Sequence, residues 1–344
     1  MFGRAPKPTQ MHVFGKTDLG RAREHNEDRF LVADLSRRQA SLLPHVREHE
    51  VGEHGSLLVV ADGMGGAAAG EIASEMATDA IYAHMLKAWS EEKEPTSQRF
   101  AYRLREAVET ANSHIHSYAK AHPEVRGMGT TTTAVGVLGD HVFLTQVGDS
   151  RAYLIRNGTA YQLTKDQSLM QRLVEAGELT EEEAAQSERR NIILQALGPD
   201  SRVKVDLTYQ ELRRGDVLVL CSDGLTGPVK KEEIGQIAGS EPDLPVACDR
   251  LIALANARGG PDNITVIIAR FDGDGLRAAE AGDAPGHQVY PLIDTETSTE
   301  PVPVYRGSPP PVPAKRARWR AVLVILIAAA LVGLGLFRYL RRRG

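Results

Sequence analysis

The sequence predicts an α+β fold in which antiparallel β-sheets are covered by helices. One observation is Asn157-Gly158, which stands between two alternating segments and favours a two-residue hairpin turn. A second is a set of short apolar runs with the length of buried strands. A third is residues 70–89, whose apolar side chains recur at helical spacing. Hairpins with helical segments inserted among them are typical of antiparallel sheets and not of an alternating parallel fold.

The predicted elements follow one another along the first three-quarters of the chain. Residues 70–89 form the clearest helix, and residues 167–197 form a long insertion with a glutamate run at 181–183. We interpret that insertion as a surface helical hairpin. In chain order, the predicted strands are residues 57–60, 131–138, 141–147, 151–156, 159–163, 217–220 and 264–269.

Composition divides the 344 residues into five segments. Residues 1–10 are predicted to be a disordered N-terminus, and residues 11–272 to be one folded domain of a size that buries a substantial core. A stretch rich in Pro, Gly, Ser and Thr follows and is typical of a flexible linker. The linker, an apolar segment and a basic tail are assigned to residues 273–320, 321–337 and 338–344.

Residues 321–337 are seventeen consecutive uncharged residues, which is at the short end for a membrane-spanning helix. Trp319 and Tyr339 bracket the run, as aromatic residues do at membrane interfaces. A buried core helix is the alternative, but such a helix seldom follows a long linker. The N-terminal 20 residues contain no long apolar run, so no cleaved signal is expected. We therefore expect a single C-terminal anchor in the inner or plasma membrane, with residues 11–272 in the cytoplasm.

The charge distribution excludes a nucleic-acid-binding protein. Residues 301–344 contain nine of the 41 Lys and Arg and no Asp or Glu, so residues 1–300 carry 32 basic against 45 acidic side chains, a net −13. An acidic body repels nucleic acid and suits a protein that binds cations. Only two cysteines are present, which is no disulfide framework.

Acidic residues recur at the ends of the apolar strands. Asp62 follows residues 59–61, Asp223 follows residues 218–222, and Asp149 follows residues 146–148. Asp262 lies two positions before residues 264–269, and Glu27 and Asp28 lie near the N-terminus. Any single Asp-Gly pair is usually only a turn. Carboxylates that converge at strand ends repel one another, and a divalent cation relieves that repulsion. All-oxygen ligands favour Mg²⁺ or Mn²⁺ over Zn²⁺.

Seven segments together resemble the protein phosphatase 2C family, the metal-dependent PPM serine/threonine phosphatases, in its bacterial form. The resemblance covers residues 11–272. It implies a four-layer α-β-β-α sandwich of two antiparallel sheets flanked by helices, with the active site in a cleft at one end. The segments, in the family's order and spacing, are residues 20–28, 60–66, 127–131, 147–151, 163–166, 221–225 and 260–265.

The resemblance also implies a role for each acidic motif. Asp62 would bridge two Mg²⁺ or Mn²⁺ ions. Asp223 and Asp262 would complete the first metal position. Glu27, Asp28 and the Gly63 carbonyl would join Asp62 at the second, and Asp149 would serve a third, weaker position. Arg23 would bind the substrate phosphate. In the family a hydroxide that bridges the metals attacks phosphorus, so no phosphoenzyme is expected.

The implied function is hydrolysis of phosphoserine and phosphothreonine on proteins, in opposition to a bacterial serine/threonine kinase. The alternative is a catalytically silent member that binds phosphoproteins as a membrane-tethered scaffold. A cysteine phosphatase is excluded, because neither Cys221 nor Cys248 has an Arg six positions on, and Cys221 is predicted to be a small buried strand residue. Met64 stands where some relatives carry His, which leaves the general acid unassigned, and a metal-bound water is our suggestion for it. Gln167 also stands where relatives often carry His, which bears on local packing or substrate approach and not on the metals. The physiological substrate, the regulation and the oligomeric state stay open.

Overall fold

The structure is a computed structural model of the full chain, and it describes residues 8–66, 69–92, 95–187 and 189–291. The helices are α1 (Pro44–Arg47), α2 (Ala69–His84), α3 (Ser97–Ala121), α4 (Leu169–Glu175), α5 (Glu181–Gln186), α6 (Asp223–Thr226), α7 (Lys231–Ser240) and α8 (Leu244–Ala257). A π-helical turn, Met85–Trp89, follows α2, and a 3₁₀ turn, Pro123–Val125, follows α3. The strands are β1 (Gln10–Asp18), β2 (Asp28–Asp34), β3 (Gln39–Ala40), β4 (Glu48–Glu50), β5 (Ser56–Met64), β6 (Gly129–Thr130), β7 (Thr132–Leu138), β8 (His141–Val147), β9 (Arg151–Arg156), β10 (Thr159–Gln162), β11 (Asp206–Glu211), β12 (Val217–Cys221) and β13 (Ile264–Asp272).

The strands form two antiparallel sheets. The first has the order β10-β9-β12-β13-β1-β4, and the second has the order β11-β8-β7-β5-β2-β3, with β6 paired to the end of β5. The hairpin between β9 and β10 turns at Asn157 and Gly158, which have φ values of 52° and 77°. Positive φ at both central residues is the requirement of the predicted Asn-Gly turn.

Three layers of apolar side chains separate four layers of secondary structure. On β5, Leu57 and Val59 face the core shared with α2 and α3, whereas Leu58 and Val60 face the core between the sheets. Successive strand residues point to opposite faces, so a strand buried on both sides is apolar at every position. A third core, with Val219 and Ile268, packs the first sheet against α7 and α8. The predicted fold of two antiparallel sheets flanked by helices is confirmed.

The predicted strands all have counterparts, but the sequence analysis did not identify several elements, among them β1, β2, β11 and the helices α3, α7 and α8. Strand β5 also continues to Met64, beyond the residues predicted for it, because β6 pairs with Gly63 and Met64. Asp62 is therefore held within a paired strand and not in a free turn. Position on a strand restrains the carboxylate more tightly than a loop would.

Two segments predicted to lie outside the domain contact it. Thr9 is buried and donates a hydrogen bond to the Gly139 carbonyl at 2.8 Å. Residues 273–291, which composition assigned to the linker, cross from the end of β13 to β11. There the Tyr290 N–H donates to the Leu207 carbonyl at 3.0 Å. The ordered body thus includes residues on both sides of the predicted domain limits.

Within the described ranges no helix is long and apolar enough to cross a bilayer. The predicted span, residues 321–337, and the basic tail lie outside the described residues.

Candidate active site

The predicted acidic residues come together at one end of the two sheets. Asp28 begins β2 and pairs with Asp62 on β5, while Asp223 begins α6 directly after β12 and Asp262 precedes the neighbouring strand β13. The sheets stack face to face, so these four positions meet at one end of the molecule, beside a cleft of about 460 Å³. Seven of the eight predicted site residues line it, namely Arg23, Glu27, Asp62, Gly63, Asp149, Asp223 and Asp262. The eighth, Asp28, is only 1% exposed.

Gly63 allows two backbone segments to approach each other beside this cleft. A Cβ atom at this position would stand 2.2 Å from the Gly70 carbonyl oxygen and 2.6 Å from the Glu27 carbonyl oxygen. The Gly63 N–H donates to that Glu27 carbonyl at 3.1 Å. Only glycine fits such a close approach. The loop with Glu27 and the end of β5 are thereby held in direct contact.

Burial and mutual repulsion raise the pKa values of Asp28, Asp62 and Asp223. Burial is the largest cause for each, and it raises the pKa of Asp28 to about 7, although hydrogen bonds from Thr265 and Ser222 oppose it. Burial and the neighbouring carboxylates of Asp28 and Asp223 hold the pKa of Asp62 well above its usual value. Burial, then Asp262, raises the pKa of Asp223. A carboxylate in such surroundings is costly unless a cation neutralises it.

Two carboxylate oxygens in this cluster have no hydrogen-bond partner although they are buried. They are Oδ1 of Asp28 and Oδ1 of Asp223. Buried polar atoms are almost always bonded, so an orphaned pair at one place calls for a ligand. Within the described residues, no three acidic, His or Cys side chains already stand as a closed metal-ligand cluster. The cleft nevertheless offers anionic oxygen donors with unused lone pairs, which is the donor set of Mg²⁺ and Mn²⁺.

Arg23 is the only Arg or Lys that lines the cleft among the described residues. Its Nη2 donates to Oδ2 of Asp262 at 2.7 Å, and this contact is the main reason that the pKa of Arg23 is raised. The guanidinium is about half exposed. Arg23 therefore stands at the cleft mouth, where its remaining donors can reach a phosphate group.

Asp149 approaches from the β8–β9 turn and is held there by its neighbours. Gly148 has a φ of 100° and lies against Thr131, whose Oγ1 is 2.9 Å from the Ser150 hydroxyl. The Asp62 N–H donates to the same Thr131 oxygen at 3.3 Å. Burial and then the charge of Asp223 raise the pKa of Asp149 to about 7. Asp149 is thus linked to the central cluster by both packing and charge.

Several residues of the site were not predicted. Ser222 donates to Oδ2 of Asp28 at 2.7 Å and accepts from the Thr265 N–H at 3.0 Å. Thr131 and Asn263 lay within the quoted motifs, but no role was assigned to them. Their partners lie far away in the sequence, so no local signal indicates these bonds. Cys221 is buried as predicted, and burial raises the pKa of its thiol to about 12, which is unsuited to a thiolate nucleophile.

A sandwich of two antiparallel sheets with a carboxylate-lined cleft at one end can be compared with known proteins. The sequence profile described as "Protein phosphatase 2C" matches residues 45–253. The serine/threonine phosphatase stp of Listeria monocytogenes is 38% identical over 263 residues, covering 76% of this chain and 96% of that protein. PstP of Mycobacterium tuberculosis is 43% identical over 213 residues, which cover 62% of this chain and 40% of PstP.

Solved structures of serine/threonine phosphatases also superpose on this chain. The crystal structure of M. tuberculosis PstP superposes with a TM-score of 0.64 at 37% identity, over 76% of this chain and 99% of that one. A structure of the catalytic domain of the PstP phosphatase in complex with two manganese ions superposes with a TM-score of 0.62 at 35% identity, over 77% of this chain and 99% of that one. The chain belongs to the protein phosphatase 2C family. It is a phosphoprotein phosphatase.

Proposed function

We propose that this protein is a divalent-metal-dependent serine/threonine phosphatase that hydrolyses phosphoserine and phosphothreonine without a phosphoenzyme. The observation that supports the proposal most strongly is the pair of orphaned oxygens on Asp28 and Asp223 beside the buried Asp62. Relatives named serine/threonine phosphatase and the manganese-containing structure support the same reading.

Each of the predicted acidic residues has a proposed role in holding a metal ion. The Asp62 carboxylate interacts electrostatically with Asp28, Asp223, Asp149 and Asp262, and it would help to hold both Mg²⁺ or Mn²⁺ ions. Asp223 and Asp262 would hold one ion, and Asp28, Glu27 and the Gly63 carbonyl would hold the other. Asp149 would hold a third, weaker ion. Bound divalent ions lower the pKa of water and screen negative charge on a phosphoryl group.

Arg23 would orient the phosphate through its planar donor fork. No Ser, Cys or His nucleophile is required, and the buried Cys221 supplies none. The general acid stays unassigned. Opposition to a serine/threonine kinase, and tethering through residues 321–337, are further parts of the proposal that await their own tests.

The test is phosphate release from a phosphothreonine peptide by the full chain, with Mn²⁺ and then with excess EDTA. We expect release that Mn²⁺ supports, EDTA abolishes and thiol alkylation leaves unchanged. Asp62→Asn should lower kcat by more than the roughly 100-fold that loss of an outer-shell metal partner costs, with the fold retained by circular dichroism.

Asp249→Asn is the matched control, because Asp249 is an exposed aspartate paired with Lys16 on the surface. Near-normal turnover by Asp62→Asn would rule out its central role. A folded wild-type protein that releases no phosphate with any divalent ion would instead favour the silent scaffold, in which the same cleft binds phosphoproteins without hydrolysis.

A further inference from the structure

Asn263 lies beside the cleft and contacts three segments that supply predicted ligands. They are the loop of residues 19–27, Asp262 and the turn that begins with Asp223. Asn263 is only 4% exposed and follows Asp262 directly. Its carbonyl oxygen lies against Gly224, where a Cβ atom would stand only 1.9 Å from it. Its own N–H donates to Oδ1 of Asp262 at 2.9 Å. The backbone of Asn263 therefore packs on the turn that begins with Asp223 and orients Asp262.

The side chain of Asn263 holds the β1–β2 loop, residues 19–27. Its Nδ2 donates to the Leu19 and His25 carbonyls, both at 3.0 Å, and its Oδ1 accepts from the Glu27 N–H at 2.8 Å. These three bonds define the orientation of the amide, because reversal would place its NH₂ group against the Glu27 N–H. They span the part of the loop that presents Arg23 and Glu27, and Asp28 follows directly.

Asparagine is the side chain that this position requires. One acceptor and two donors are used, and all three partners are main-chain groups of a single loop. An aspartate would face two carbonyl oxygens with a carboxylate, and a serine or threonine has too few donors. The Arg21 and Ala22 N–H groups also donate to the Gly260 carbonyl, and the Gly63 N–H donates to the Glu27 carbonyl. The Asn263 amide adds three bonds along the same loop, so we expect small displacements of Arg23 and Glu27 when these bonds are lost.

We infer that Asn263 is a positioning residue that sets both the metal affinity and the phosphate affinity of the site by fixing the 19–27 loop against Asp262. The inference rests on the proposed metal-dependent function and deepens it. Asn263 does not line the cleft, so it would touch neither the phosphate nor the metals. It acts through Arg23, Glu27 and Asp28, much as outer-shell partners orient metal ligands elsewhere.

The test compares Asn263→Ala with a matched control in the full chain. Asn112 on α3 is also buried, and its amide likewise holds a loop, donating to the Asp200 carbonyl at 3.1 Å and accepting from the Gly198 N–H at 2.8 Å. Neither of those loop residues lines the cleft. Mn²⁺ binding to metal-stripped protein is measured by calorimetry, and KM and kcat are measured with a phosphothreonine peptide.

We expect Asn263→Ala to weaken Mn²⁺ binding by about 10-fold or more and to raise KM. Asn112→Ala should lower the melting temperature but leave both constants within about twofold. In an Arg23→Ala background, Asn263→Ala should raise KM little further, because the two changes remove the same contact. Unchanged Mn²⁺ affinity and KM in Asn263→Ala, or equal changes in both variants, would overturn the inference.

If Asn263→Ala does not fold, Asn263→Asp replaces it, since aspartate keeps the shape and the bond to Glu27 but loses both donors. The expected result is then a raised KM that the Arg23→Ala background removes. A KM equal to that of the wild type would overturn the inference. Failure of the proposed function is distinguishable, because the wild type would then release no phosphate, whereas the Mn²⁺ affinities of the variants can still be compared.

Discussion

The two ends of strand β12 each carry an aspartate, and the two lie in opposite surroundings. Asp216, just before the strand, is 1% exposed and accepts from Nε and Nη2 of Arg156 at 2.9 and 2.6 Å and from the Arg213 N–H at 2.7 Å. Asp223, just after the strand, lies in the cleft with an orphaned Oδ1. A buried carboxylate whose partners are all supplied by the chain is structural, whereas one that lacks them specifies a ligand.

The same contrast holds at equal burial. Asp28 is also 1% exposed, yet its carboxylate accepts only from the Ser222 and Thr265 side chains, and no Arg or Lys among the described residues forms an ion pair with it. The folded state thus accepts an unneutralised carboxylate at Asp28 and a fully paired one at Asp216. Stability is reduced at Asp28, as is common at functional sites, and under the proposed function this carboxylate would hold a metal ion.

The largest expected effect on stability comes from Asp216→Asn. The change leaves the Arg156 guanidinium, 4% exposed, as a buried charge without its partner. Loss of one partner from such a pair lowers the free energy of unfolding by about 3–5 kcal/mol. Urea unfolding followed by circular dichroism measures it, with Asp223→Asn as the control at the other end of the strand. Equal destabilisation by both variants would contradict the comparison.

A smaller effect of opposite sign is expected from Asp28→Asn. A neutral amide removes the repulsion with Asp223 and the cost of a buried charge, so the metal-free protein should gain about 1–2 kcal/mol of stability. The same change should weaken Mn²⁺ binding, because it removes an anionic ligand. Thermal melts without metal test the gain in stability, and calorimetric titration with Mn²⁺ tests the loss of metal affinity. A variant that is less stable without metal, or that binds Mn²⁺ as the wild type does, would show that Asp28 is structural like Asp216.

The smallest expected effect is a pH dependence of the stability difference between Asp28→Asn and the wild type without metal. Burial raises the pKa of Asp28 in the folded protein to about 7, from an unfolded value near 4. Folding favours the protonated Asp28 carboxyl. Its contribution to the stability of the wild-type protein is therefore fully present below about pH 4 and is lost as the pH rises through about 7. The stability gained by Asp28→Asn without metal should therefore grow between pH 5 and about pH 8, as measured by urea unfolding at each pH. If the stability gained by Asp28→Asn were constant over this pH range, the charge of Asp28 would not be the source of the destabilisation.

The elements that could be predicted are those with short-range signals. Asn157-Gly158 marked a hairpin, and its positive φ angles confirm why those residues stand there. Strands buried on one or both faces were visible as apolar runs. Helix α3 was not identified, although its buried residues Phe100, Leu104, Val108, Ala111 and Ile115 recur at helical spacing. The order of strands in each sheet has no local signal, because it depends on pairings between distant segments.

The candidate site divides in the same way. The identities of the acidic residues, and of Arg23, could be proposed from motifs at strand ends, and the cleft contains seven of the eight. Their protonation, the two orphaned oxygens and the Arg23–Asp262 contact depend on burial and distance, which no motif contains. Asn263 shows the limit most clearly, since its three side-chain bonds reach residues more than 230 positions away.

By itself, the sequence determined the residue types, the local turns and the alternation that makes each strand. Those properties depend on residues that are close together along the chain, so they could be predicted from the sequence. The tertiary structure alone decided which buried aspartates are neutralised by arginine and which are left with unused lone pairs. That decision depends on the free energy of placing a charge at low dielectric beside particular partners, and partners in space are set only when the two sheets pack together.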